Sequence, residues 1–156
     1  MHDARRIVFT SAKAALFSFF AAVFVALVLY FTAGYALSGS NENICRVNYL
    51  PGLFLGIVFV APLIETVVLA AIYGLARFFF SAIASARLAA IILALLHSLV
   101  WWGWTLILIV PFLVFANPLS SYRNGIESRV AASLFTHGFH NFYVFLVTAM
   151  AVWGDC

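Results

Sequence analysis

The run from Ala14 to Leu37 contains no charged residue, and three further stretches are almost as apolar: Tyr49 to Ala76, whose one charged residue is Glu65, the run after Arg87 to Pro111, and Val130 to Trp153. A helix needs about 20 mostly apolar residues to cross the roughly 30 Å hydrocarbon core of a bilayer. Each stretch is long enough. The 156 residues are 66% hydrophobic and only 8% charged, too little polar surface to cover a water-soluble globule. The expected fold is therefore all-α, a polytopic transmembrane helical bundle of about four spans. It forms a single membrane-embedded domain over residues 1–156, with no separate soluble domain.

The connections support this division. Ser38-Gly39-Ser40-Asn41-Glu42-Asn43 favours turns and water over helix interior, and the Asn117-Pro118 and Asn124-Gly125 dipeptides mark a last loop. Pro111 invites a kink or an end to the third span. The first apolar run exceeds the about 7 to 15 residues of a signal-peptide core, so it is read as an uncleaved span. Cys45 lies in the first polar gap and Cys156 at the last position, which puts them on opposite sides of the bilayer, and no disulfide is expected between them. The eight Lys and Arg are scattered in short polar gaps, which argues against nucleic acid as a partner. With the N-terminus inside, Arg5, Arg6, Lys13, Arg77 and Arg87 face the cytoplasm and Arg46, Arg123 and Arg129 the other side. The excess of positive charge predicts that both termini are cytoplasmic.

The informative residues are those that a bilayer helix should avoid: Glu65, His97, His137, His140 and Asn141. An ionisable residue at the helix centre costs roughly 2.5 to 3.5 kcal/mol on insertion scales, so function is the default explanation for it. Counted from Ala76, Arg87 and Trp153 at 1.5 Å per residue, Glu65, His97 and Asn141 lie at about 16, 15 and 18 Å depth, with His137 at about 24 Å. His137, His140 and Asn141 share one helix face through their i, i+3, i+4 spacing. One polar cavity near the midplane, built from three spans, accounts for the agreement. Pro62 removes a helical hydrogen bond close to Glu65, and Trp101 and Trp104 follow His97 at intervals that extend its face as an aromatic wall.

A carboxylate beside an imidazole in low dielectric can act as a general base toward water, while a second imidazole and an amide offer donors to a developing oxyanion. Hydrolysis of a peptide bond fits that set. No Ser or Cys stands in a comparable arrangement with a base, which places covalent catalysis low. The same side chains could ligate zinc, but no short His-Glu motif of the zincin type is present, and the chemistry does not require a metal. Three other readings fit the same residues. They could be interhelical hydrogen-bond glue in a non-catalytic, peptide-binding protein. His97 with His137 or His140 could ligate a b-type haem as axial pair. Glu65 and the histidines could carry protons or ions. For His140, a helix-packing hydrogen bond is the simplest role.

Ala61-Pro62-Leu63-Ile64-Glu65-Thr66, then His97, then His137-Gly138-Phe139-His140-Asn141 resembles, in order, spacing and placement, the three motifs of the CPBP (Abi) family of intramembrane endopeptidases. That family includes CAAX prenyl proteases and bacteriocin-immunity proteins. The resemblance implies a bundle around a cavity, with a CPBP-like core at about 50–153. It implies that Glu65 and His97 activate water and that His137 and Asn141 form the oxyanion site. The substrate would be a membrane-associated peptide, such as a prenylated or leader peptide, in the lipid of a bacterial inner membrane, and the protein could act as an oligomer. The chain departs from the family where a second Glu, an Arg and an aromatic residue are usual, having Thr66, Ala70 and Leu93 instead.

Overall fold

The computed structural model describes residues 2–33, 50–100, 102–121 and 125–154. Among them every regular element is helical: α1 (His2–Ala33), α2 (Leu50–Leu55), a π-helical segment (Gly56–Val60), α3 (Ala61–Ala76), α4 (Ala82–His97), α5 (Gly103–Ser121) and α6 (Ile126–Gly154). Four continuous stretches are long and apolar enough to cross a membrane: Arg5–Leu29, Pro51–Ala76, Gly103–Ser121 and Ile126–Met150. This is an all-α bundle of an integral membrane protein. Cys45, Cys156, Arg46, Arg123 and Trp101, on which sequence expectations rested, lie outside the described residues.

The surface is inverted relative to that of a water-soluble protein. Phe9, Phe17, Phe20 and Phe24 of α1 and Leu63, Ile64 and Val67 of α3 point outward. The interior is lined by small residues, with Ser85, Ala86, Ala89, Ala90 and Ala94 buried on α4 and Ser11, Ala15, Ser18 and Ala22 on α1. In lipid, apolar side chains gain nothing by leaving the solvent, so helices associate where small residues let backbones approach and hydroxyls bond across the gap. α1 does so twice: the Ser11 hydroxyl donates to the Ala132 carbonyl at 3.2 Å, and Ser18 Oγ lies 2.8 Å from His140 Nδ1.

One expected crossing is not a single helix. The stretch from Arg87 to Pro111 is split, α4 ending at His97 and α5 starting at Gly103. At the end of α4 the amides of Ser98, Leu99 and Val100 bond three residues back, to Leu95, Leu96 and His97, which tightens the last turn. The Thr105 hydroxyl then donates to the Ala94 carbonyl at 3.3 Å, tying the two arms into an antiparallel hairpin. The end expected at Pro111 and the loop expected at Asn117-Pro118 both fall inside α5. A bilayer helix tolerates proline where nearby hydroxyls re-satisfy its polar groups. Beside Pro118, Ser120 donates to the Asn117 carbonyl and Ser121 to its side-chain oxygen, at 3.1 and 2.8 Å, whereas the carbonyls that Pro111 and Pro118 deprive of a helical donor are those of Ile107 and Val114.

The extra reversal changes the topology. Along the α1–α6 contact both residue numbers rise together, from Ser11 with Ala132 to Ser18 with His140, so these helices are parallel. The start of α1 and the end of α6 therefore lie at opposite ends of the bundle, where four simple crossings would have put them on one side. Every described Lys and Arg now falls toward the end where α1 begins. Lys13 and Arg87 line one cleft with Ser121, Arg77 ends α3 just before α4, and Arg129 donates to the Leu119 carbonyl at 3.3 Å. Charges that look scattered in the sequence are gathered by the fold.

Candidate active site

Glu65 projects from the second turn of α3, His97 from the last turn of α4, and His137, His140 and Asn141 from one face of α6. All five line one cavity of about 200 Å³, together with Trp104, Leu108, Phe112 and Phe115 of α5. The residues singled out in the sequence thus meet. Trp104 reaches the cavity from α5 rather than by continuing α4.

Glu65 is the hub. Its Oε2 lies 3.3 Å from His137 Nε2 and its Oε1 lies 3.8 Å from His97 Nε2. The side chains of Glu65 and His97 are 25% and 29% accessible but that of His137 only 3%, so the His97 side of the carboxylate is the wet one. His97 Nδ1 is 2.8 Å from the Leu93 carbonyl, four residues back on the same helix. A carbonyl can only accept, so Nδ1 carries a proton and Nε2 is the ring atom turned toward Glu65. Leu93 thus orients His97 through its backbone, which makes its side-chain identity immaterial to this contact. At 3.8 Å the Nε2 and Oε1 atoms are too far apart for a direct hydrogen bond.

His137 is held differently. Its ring stacks on Phe115 at 4.2 Å between centroids, with Phe112 edge-on at 5.9 Å. Its Nε2 has the carboxylate oxygen as acceptor, while its buried Nδ1 and the hydroxyl of Thr66 have no hydrogen-bond partner among the described residues. Asn141 donates one amide proton to the Ile57 carbonyl at 2.9 Å, which leaves its second N–H and its oxygen for the cavity.

The Ile57 contact explains the irregular helix. In the π-helical segment the Ala61 amide bonds five residues back, to the Gly56 carbonyl. The next bond of that series would run from residue 62 to Ile57, but residue 62 is a proline and has no N–H. The orphaned carbonyl takes Asn141 instead. Truncating Asn141 should accordingly cost about 0.6 to 1.7 kcal/mol, as interhelical hydrogen bonds do in membranes. Pro62→Ala, by restoring a local donor, should recover most of that loss in the Asn141→Ala background. Unfolding titrations of the four proteins of this cycle measure the coupling, and strict additivity would refute the assignment.

The sequence did not disclose Ser18, which donates to the Ala15 carbonyl at 2.8 Å and therefore accepts from His140 Nδ1. This bond ties α6 to α1 and gives His140 the packing role expected of it. The i, i+4, i+7, i+11 spacing of Ser11, Ala15, Ser18 and Ala22 was the available signal for that face. Among the described residues no group of three or more His, Cys, Asp and Glu is arranged to hold a metal ion. Comparison with family models, with curated proteins and with solved structures finds no match to this chain.

Proposed function

We propose that the protein is an intramembrane endopeptidase of CPBP type, in which Glu65 and His97 activate a water that attacks a peptide bond of a membrane-associated substrate. The observation that carries this reading is the Glu65 carboxylate facing Nε2 of His97, 3.8 Å apart on the accessible side of the cavity. A water seated between them donates one proton to each and turns an oxygen lone pair toward the substrate carbonyl. His137, pinned by Phe115 and bonded to the far carboxylate oxygen, fixes Glu65. The second N–H of Asn141 is the donor offered to the oxyanion, since the Nε2–H of His137 is already given to Glu65.

Cleavage of a peptide presented in liposomes, by wild type and by Glu65→Gln, tests the reading. Equal rates would refute it. The mechanism uses no metal, so EDTA or 1,10-phenanthroline should leave the rate unchanged. Inhibition reversed by zinc would replace the glutamate-activated water with a metal-bound one.

The gathering of Lys and Arg toward one end of the bundle supports a cytoplasmic location for that end, by the same rule that orients bacterial inner-membrane proteins. The start of α1 then lies inside and the end of α6 outside. Reporter fusions at the two tails should accordingly signal from opposite compartments; signals from the same side would overturn this topology.

A further inference from the structure

Among the described residues, a cleft of about 850 Å³ between α1, α4, α5 and α6, toward the end of the bundle where the cations gather, is larger than the candidate active site. Two cations from different helices, Lys13 of α1 and Arg87 of α4, line it, and Asn117 and Ser121 of α5 add polar groups. No carboxylate pairs with Lys13 or Arg87 among the described residues. Lys13 rests its ammonium 4.3 Å from the centre of the Phe9 ring, an attraction that leaves its donors free for another ligand. One turn deeper on α1 the wall becomes Phe17, and along α5 it passes from Ser121 inward through Val114 to Val110. The cleft is therefore cationic and hydroxyl-bearing at the mouth and apolar within.

That gradient matches one molecule available at this depth. We propose that the cleft binds an anionic phospholipid, with its phosphate between Lys13 and Arg87 and its acyl chains against Phe17 and Val110. A soluble anion has no use for the apolar wall, and a zwitterionic lipid would bring a second cation against two unpaired ones. Basic pockets between transmembrane helices recognise anionic headgroups in this way. The site is separate from the Glu65 cavity, and the inference does not depend on any catalytic role there.

The test uses the full chain in mixed micelles of neutral detergent. Phosphatidylglycerol or phosphatidylcholine with identical acyl chains is titrated in, and bound lipid is counted by native mass spectrometry. Wild type should retain phosphatidylglycerol preferentially. The Lys13→Gln/Arg87→Gln double variant should lose about 30-fold of that preference, two surface cations at about 1 kcal/mol each. Lys13→Arg should preserve it. Arg77→Gln, whose parent side chain donates to the Phe80 carbonyl outside the cleft, should preserve it too and controls for net charge. Equal retention of both lipids by wild type, an unchanged preference in the double variant, or displacement of phosphatidylglycerol by millimolar inorganic phosphate would each overturn the proposal.

Discussion

Glu65→Gln is expected to lower peptide turnover by about 10²- to 10⁴-fold, the range attributable to a positioned general base, with the bundle unharmed. The geometry says why the two effects separate. A glutamine oxygen can still accept from His137 Nε2, so the one direct hydrogen bond of the wild-type carboxylate is retained in kind, and the side chain keeps its size beside His97. What disappears is the capacity to take a proton. Removing an ionisable group from the bilayer interior should, if anything, raise resistance to unfolding. Initial rates in proteoliposomes and helical content measured on the same preparations check both halves. Lost activity with a collapsed bundle would assign Glu65 a structural duty, and retained activity would end the hydrolytic reading.

Phe115→Ala should produce the largest loss of stability, about 3 to 5 kcal/mol. The ring is almost completely buried and touches three parts of the site: it stacks on His137, meets His140 edge-on at 5.2 Å and packs against Phe112 at 5.7 Å. In lipid the penalty comes from packing contacts left without partners rather than from exposure to water. His137 would also lose the plane that orients it, so activity should fall further than unfolding alone explains. Phe115→Leu refills much of the volume without restoring a flat face. It should recover most of the stability and little of the rate. Parallel recovery of both would show that the stacking has no part in catalysis.

Most of what brings the candidate site together was legible in the chain itself. A residue near the middle of a span keeps nearly the same depth whichever way the helix runs, so Asn141 still meets Glu65 and His97 although α6 points opposite to the direction used to count its depth. Glu65, His97 and His137 stood out because each is costly in hydrocarbon. The break between α4 and α5 was hidden for a physical reason. Arg87 to Pro111 has the length and apolarity of one crossing, and its turn at residues 98–102 carries Ser98 but no proline. The break is held by backbone bonds and by Thr105 reaching back to Ala94, contacts that appear only once the arms are folded together. Pro111 and Pro118 misled in the other direction, because rules for proline learned in water overstate its power to end a helix in lipid. The π-helical segment had a local cause in Pro62, but its stabilising partner, Asn141, lies 84 positions away in sequence.

The parallel embrace of α1 and α6 sets an order of assembly. Ser11 and Ser18 find their partners 121 and 122 positions downstream, so α1 is synthesised long before the helix that seats it. During synthesis its serine-and-alanine stripe must wait in the bilayer, unclaimed, until α6 is threaded across. A nascent product stopped before α6 would carry that bare seam on a half-built bundle, a form that quality-control proteases could tell from the finished one.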